Sequence, residues 1–152
     1  MALTWEDVNR RIARNFPDVP TISTDELAGR LDGDGPVPVL LDARAAGEFG
    51  VSHLLGARLA ASADDALLAL AEVPETTLVV VYCSVGYRSA VLARELLARG
   101  RSGVYNLDGS IFRWANEGRP VYRDGEPVGE VHPYDSRWGQ LLDARYHPEG
   151  GA

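Results

Sequence analysis

The chain contains no lysine, and this absence limits what it can do. All 15 basic residues are arginine, and 22 acidic residues give a formal net charge of −7. Without lysine the protein can form neither a lysine Schiff base nor a phosphate-binding P-loop. The negative balance argues against an extended basic surface, so we expect no nucleic-acid partner.

Cysteine is almost absent as well, since Cys83 is the only one in 152 residues. A single thiol excludes an intramolecular disulfide, a CxxC redox pair and a multi-cysteine zinc site, and it fits a reducing compartment. The spacing of His132 and His147 is not typical of metal ligands, so we predict no metal and no other cofactor. Cys83 is therefore either a structural residue or a reactive one.

Long apolar runs are missing too. No stretch approaches the roughly 20 residues of a membrane span, and the N-terminus mixes charge into every turn. We therefore expect a cytoplasmic protein without membrane contact. With 45% hydrophobic and 24% charged residues, the composition is typical of a globular protein, and the length predicts one domain over residues 1–152.

Strand and helix patterns alternate through the middle of the chain. Residues 37–42 and 77–82 are nearly continuous apolar runs, as expected for strands buried on both faces of a parallel sheet. Further strands are predicted at 20–23, 58–60 and 103–107, and helices at 4–16, 24–31, 64–72, 89–99 and 110–118. This order predicts an α/β layered domain. Towards the C-terminus the pattern changes to a hairpin around 124–127 and a short helix within 135–146.

The cysteine lies where an α/β domain binds ligands. It directly follows the strand predicted at 77–82, and the loop of Cys83 to Arg88 leads into a helix. Gly86 permits a tightly curled backbone, so several amides can converge on one point beside the helix dipole and the Arg88 guanidinium. A thiol held there ionises more readily. We therefore predict that Cys83 is a thiolate nucleophile rather than a buried structural cysteine.

The loop sequence CSVGYRS resembles the C-x-x-G-x-R-S/T loop of the rhodanese family of sulfurtransferases. Other segments resemble the family in the same order: LLDAR, EF followed by SHLLGA, and NLDGSIFRWANEGRPV. The resemblance covers about residues 20–121 and leaves an N-terminal helix within 1–19 and a C-terminal extension, 122–152, which we expect to pack on the core. It implies a three-layer domain with a mainly parallel central sheet and helices on both faces. Ser52 and Ser110 replace family glycines, and we expect neither to touch the cysteine loop.

The resemblance implies that a sulfane sulfur moves from a donor such as thiosulfate to a cyanide or thiol acceptor, including a protein thiol, through a persulfide on Cys83. Related cysteine phosphatases use a C-x5-R loop, and the C-x4-R spacing here leaves a smaller ring suited to one sulfur atom. The alternative is a non-catalytic rhodanese-like binding or regulatory module. Retention of both Cys83 and Arg88 favours the enzyme.

The candidate site residues fall into three groups. Cys83 and Arg88 are the predicted catalytic residues, with Arg88 adding positive charge and binding loop carbonyls. The sulfur-binding loop amides are predicted at Ser84, Val85, Gly86, Tyr87 and Ser89. The supporting residues are Asp42, which could hold Arg44 or a neighbouring loop, Arg44, which is spaced for a local ion pair with Glu48, and His53, which orders its turn or donates a proton.

Three residues of the cysteine loop bear on substrate choice. Ser84, Val85 and Tyr87 carry no charge, which argues against a strong preference for a dianionic donor, and Tyr87 is expected to shape an apolar entrance.

The aromatic residues of the terminal extensions are interpreted as docking elements, with a partner-binding surface as the alternative: Trp5, Tyr134, Trp138 and Tyr146.

Overall fold

A computed structural model describes residues 2–148; Met1 and residues 149–152 of the predicted C-terminal extension lie outside the described residues. Its centre is a five-stranded sheet in the order β1-β5-β4-β2-β3, with every neighbouring pair parallel. The strands are β1 (Thr21–Ile22), β2 (Val39–Asp42), β3 (Arg58–Leu59), β4 (Val79–Tyr82) and β5 (Val104–Leu107). The predicted α/β fold with a parallel sheet is confirmed.

Six α-helices accompany the sheet within the described residues. They are α1 (Trp5–Asn15), α2 (Thr24–Asp32), α3 (Ala46–Val51), α4 (Ala63–Ala69), α5 (Tyr87–Ala98) and α6 (Ser110–Asn116). Side-chain oxygens of Thr4, Ser23 and Ser62 cap α1, α2 and α4 by accepting first-turn N–H groups, as these residue types do at helix starts. Between residues 2 and 148, no helix has both the length and the apolar character to cross a membrane.

Alternate side chains of β4 enter two separate cores. Val80 and Tyr82 pack on one face of the sheet, and Val79 and Val81 pack on the other. Buried residues of α2 and α6 contribute to the first core, whereas those of α4 and α5 contribute to the second. Helices therefore cover both faces, which explains why this strand is apolar throughout.

Three helix predictions needed correction. Helix α5 begins at Tyr87, two residues earlier than predicted, because Gly86 adopts φ 117° and turns the chain directly into the helix. No helix was predicted around Glu48 and Phe49, but these residues lie in the short helix α3. Helix α4 ends at Ala69 rather than near Glu72.

The C-terminal segment, residues 122–148, packs on the first core. Strands β6 (Val121–Arg123) and β7 (Glu126–Val128) form the predicted hairpin, with φ 52° at Asp124 and 80° at Gly125 in the two-residue turn. Val131, Leu141 and Leu142 are buried.

The helix predicted within residues 135–146 is instead two short 3₁₀ helices, Trp138–Leu141 and Ala144–Tyr146. The carbonyl groups of Gly139 and Leu142 lie 3.0 and 3.1 Å from the His147 ring nitrogen Nε2. In a continuous α-helix these two carbonyl oxygens would accept from backbone N–H groups one turn later. The His147 ring therefore competes with extension of the helix.

Candidate active site

The loop after β4 folds back over its own cysteine. The Gly86 N–H donates to Cys83 Sγ at 3.1 Å, and Cys83 is only 1% exposed. Glycine suits this position because a φ of 117° is strained for any residue with a side chain, and a Cβ would also push Ile12 Cδ1 of α1, 3.3 Å away, by a few tenths of an ångström. The amides of Tyr87 to Ser89 open α5, where the first N–H groups have no intrahelical partner.

Helix α6 holds the other side of the loop. The N–H groups of Ile111 and Phe112 donate to the carbonyl oxygens of Cys83 and Ser84 at 3.1 and 3.0 Å. These bonds satisfy two loop carbonyls and direct them away from the sulfur. The arrangement favours amide groups, rather than carbonyls, on the side that faces Sγ.

Asn106 is a site residue that sequence reasoning missed. It is 2% exposed, and its Nδ2 donates to Gly86 O at 3.0 Å while its Oδ1 accepts from Ser89 Oγ at 2.6 Å. Ser89 Oγ also lies 3.4 Å from Cys83 Sγ, but its single proton is directed to Asn106. The available clue was a polar residue near the end of the otherwise buried strand β5, beside β4.

Ser110 contradicts the expectation that neither serine substitution touches the loop. Its Oγ accepts from the Cys83 N–H at 3.2 Å and donates to Leu107 O at 3.0 Å. The contact arises because α6 starts directly beside the end of β4. Ser110 has φ 48°, a left-handed conformation that explains why glycine suits this position. Ser52 makes a different contribution, since its carbonyl accepts from Arg44 at 2.7 Å.

Arg88 binds Glu48 instead of the predicted loop carbonyls. Its Nη1 and Nη2 donate to the two Glu48 carboxylate oxygens at 2.9 and 2.8 Å, and Nη2 also donates to Ser84 Oγ at 2.9 Å. The bidentate geometry directs the guanidinium plane towards α3, so it does not reach the loop carbonyls.

Both partners of this pair have shifted pKa values. Burial alone would raise the pKa of Glu48, but hydrogen bonds from Arg88 and from the Ala45 N–H lower it below its ordinary value of 4.5. Burial alone would lower the pKa of Arg88, but its hydrogen bonds to Glu48, together with the electrostatic influence of Cys83 and Glu48, raise it overall. Arg88 therefore stays charged beside the thiol, with much of its charge balanced by Glu48.

Arg44 pairs with Asp42, so the predicted local pair between Arg44 and Glu48 is wrong. Arg44 Nε and Nη2 donate to the Asp42 carboxylate at 2.9 and 2.7 Å, and both side chains are fully buried. Burial lowers the pKa of Arg44, and the bonds to Asp42 more than offset this and raise it. The pair joins the end of β2 to the turn before α3 and leaves Glu48 available to Arg88.

His53 orders its segment through contacts with Phe49 and Tyr122. Its ring stacks on Phe49 with centroids 3.9 Å apart, and Nδ1 donates to the Phe49 carbonyl at 3.0 Å. Its backbone exchanges two hydrogen bonds with Tyr122 of β6. None of these contacts within the described chain reaches the cysteine loop.

A cavity of about 270 Å³ opens over Cys83. Its loop walls include Val85, Tyr87 and Arg88, and the chain termini add Arg11 of α1 and Tyr134 and Trp138 of the C-terminal segment. The Arg88 Cζ lies 4.6 Å from the centroid of the Tyr134 ring.

Among the aromatic residues interpreted as docking elements, Tyr134 is the most exposed, at 46%, and it lines this cavity. Trp5, Trp138 and Tyr146, by contrast, pack partly buried against the first core.

Curated proteins related to this chain include sulfurtransferases. A probable adenylyltransferase/sulfurtransferase, MoeZ, from Mycobacterium tuberculosis is 34% identical over 101 residues, which is 66% of this chain and 26% of that protein. A sulfurtransferase from Allochromatium vinosum is 38% identical over 52 residues, or 34% of this chain and 49% of that protein. The chain thus spans between a quarter and a half of the curated relatives it matches.

Solved structures show the same fold. A rhodanese-like domain protein from Staphylococcus aureus superposes with a TM-score of 0.59 at 25% identity, covering 70% of this chain and 99% of that one. A thiosulfate sulfurtransferase from Pseudomonas aeruginosa gives a TM-score of 0.67 at 21% identity, covering 89% and 26%. The sequence model of the rhodanese-like domain matches residues 23–117. With that match over more than half of its length, and with this sheet and cysteine loop, the chain belongs to the rhodanese-like domain family.

Proposed function

We propose that this protein is a sulfurtransferase that carries a sulfane sulfur as a persulfide on Cys83. The observation that carries the proposal is the geometry of the loop: Cys83 Sγ accepts the Gly86 N–H at 3.1 Å and lines an open cavity. A thiol used only for packing would need neither the amide aimed at it nor the cavity. Family membership and the sulfurtransferases among its relatives support the same reaction class.

The first half-reaction loads the cysteine. The Cys83 thiolate attacks the outer sulfur of a donor such as thiosulfate, a new S–S bond forms, and the donor S–S bond breaks with its electron pair leaving on sulfite. In the second half-reaction, a thiolate or cyanide attacks the outer sulfur and Cys83 leaves as a thiolate. The reaction is a two-step covalent transfer of ping-pong type.

The loop amides stabilise the negative charge of the persulfide. Gly86 supplies one N–H, and the first-turn amides of α5 lie next in the chain, in the manner of a preorganised oxyanion hole. Arg88 adds positive charge and, through Ser84 Oγ, positions the loop. Neither half-reaction with a thiolate acceptor requires a proton donor, so the mechanism assigns no catalytic step to His53.

Intact-mass measurement tests the proposal. The protein is incubated with thiosulfate, an organic thiosulfonate or inorganic polysulfide, and compared with Cys83→Ser treated in the same way. We expect one extra sulfur atom on the natural protein, removable by a reductant and transferable to cyanide, and none on the variant. Failure of all three donors to load Cys83 would refute the proposal and favour the non-catalytic binding module.

A further inference from the structure

We infer that the cavity over Cys83 selects a monoanionic organic thiosulfonate, R–SO₂–S⁻ with an apolar R group, over the thiosulfate dianion. The inference rests on the proposed function and specifies the substrate class of the same site. It comes from the walls supplied by the two terminal regions, which lie outside the residues matched by the family model.

The first argument is the chemistry of the walls. Val85, Tyr87, Tyr134 and Trp138 present mainly carbon to the cavity. Its volume of about 270 Å³ is close to the lower end of small-molecule pockets, at roughly 300 Å³. Walls of this kind gain binding free energy from an apolar group but cannot replace the hydration of a sulfonate.

The second argument is charge. The cavity has two arginines, and the guanidinium of Arg88 is already bound by the Glu48 carboxylate. Arg11 is exposed, its Cζ lies 6.0 Å from the centroid of the Tyr87 ring, and it makes no ion pair within residues 2–148. One unbalanced cation matches one negative charge. The second charge of thiosulfate would face aromatic rings.

The third argument is the conformation of Tyr134. It has φ 70°, which is unfavourable for an aromatic residue, and its N–H donates to His132 Nδ1 at 2.9 Å. Strained backbone of this kind persists only where the surrounding structure holds it in place, and it is concentrated at active sites and ligand-binding sites. Here the conformation places the ring over Arg88 while leaving it 46% exposed, which packing alone does not require.

The chemical step is the same for both donors. With a thiosulfonate, the Cys83 thiolate bonds to the outer sulfur, and the donor S–S bond breaks with its electron pair leaving on the sulfinate R–SO₂⁻. No oxidant, reductant or proton enters. Thiosulfate differs in having a third oxygen and a second charge where the thiosulfonate has its R group. Because the sulfinate and sulfite leaving groups also differ in intrinsic reactivity, the contribution of the cavity walls is the part of the donor preference that changes when a wall residue is replaced.

The test measures kcat/KM for persulfide formation with benzenethiosulfonate, methanethiosulfonate and thiosulfate. We expect at least about a tenfold preference for benzenethiosulfonate over thiosulfate, because a buried ring contributes more than the 1.4 kcal/mol that equals tenfold. Methanethiosulfonate carries the same charge with a smaller group and should fall between them.

Two variants of Tyr134 test whether its ring causes the preference for the aromatic donor. Tyr134→Asn removes the ring, and asparagine tolerates the left-handed backbone, so the fold is preserved. It should lower the preference for benzenethiosulfonate over methanethiosulfonate about fivefold, since a ring contact contributes about 1 kcal/mol. Tyr134→Phe keeps the ring and should keep the preference.

Inorganic polysulfide separates this inference from the proposed function, because it needs no apolar wall. If polysulfide loads Cys83 but benzenethiosulfonate is no better than thiosulfate, the inference is overturned and the sulfurtransferase stands. An unchanged donor preference in Tyr134→Asn also overturns it. If no donor loads Cys83, the proposed function fails and the inference fails with it.

Discussion

Replacing Ser110 by alanine or glycine should separate the contribution of its hydroxyl hydrogen bond to stability from the cost of its left-handed backbone. Ser110→Ala leaves the Cys83 N–H without its acceptor while keeping the left-handed φ of 48°. An unsatisfied buried amide costs about 1–3 kcal/mol, so we expect Ser110→Ala to lower the free energy of unfolding by about 2 kcal/mol. Ser110→Gly loses the same bond but relieves the left-handed strain of about 1–2 kcal/mol. Against that relief, the extra freedom of glycine in the unfolded chain costs about 0.4–1 kcal/mol. The glycine variant should therefore lie about 0.5–1 kcal/mol above the alanine variant and below the natural protein.

Urea unfolding followed by tryptophan fluorescence gives these free energies, and persulfide loading gives the second measurement. Because the Gly86 N–H rather than the Cys83 N–H contacts Sγ, both variants should load sulfur within about fivefold of the natural rate when folded. Two results would refute the reasoning: an alanine variant as stable as the natural protein, or a glycine variant less stable than alanine.

Three further changes have expected outcomes. Asn106→Ala removes one of the two hydrogen bonds to the Gly86 carbonyl, which still accepts from the Ala90 N–H, and it takes away the acceptor of the Ser89 hydroxyl. It should therefore cost about 2 kcal/mol in urea unfolding and slow sulfur loading at least about tenfold; a normal loading rate would contradict its positioning role. Glu48→Gln should cost about 2 kcal/mol at pH 7. The pKa of Glu48 is held below 4.5, so the stabilisation that its carboxylate provides is present above pH 4.5 and is lost as the pH falls through the lowered pKa. The cost of the substitution should therefore shrink in acid. A cost that does not change with pH would contradict this reasoning. Asp42→Asn leaves Arg44 buried without its carboxylate and should cost about 3–5 kcal/mol by urea unfolding, with a loss under about 1 kcal/mol contradicting the buried pair.

The fold was predictable because its central strands are short and apolar on both faces. The runs at 37–42 and 77–82 contain β2 and β4, and strand-helix alternation implied the parallel order. Helix α3 was missed because its six residues, AGEFGV, are too few to show helical periodicity. The 3₁₀ helices near the C-terminus depend on tertiary contacts such as those of the Asn116 side chain with the Leu141 carbonyl and the Asp143 N–H, which local sequence does not encode.

The cysteine loop was predictable because its glycine, arginine and helix start lie within seven residues of one another. The partners of the charged groups around the loop were not predictable from the sequence. Glu48 lies four residues from Arg44 but pairs with Arg88, because Arg44 turns back to Asp42. Asn106 and Ser110 reach the loop from β5 and α6, and such contacts between distant parts of the chain follow only from how the strands are ordered.

The depth of Cys83 has a consequence for the acceptor in the proposed sulfur transfer. Cys83 is 1% exposed and shares its cavity with Tyr134 and Trp138, so a cysteine lying flush on a folded protein surface would be held away from the Cys83 sulfur. A protein acceptor would therefore have to offer its cysteine on a narrow projection, such as a chain end or an extended loop. In that case reach as well as reactivity would decide which thiol receives the sulfur.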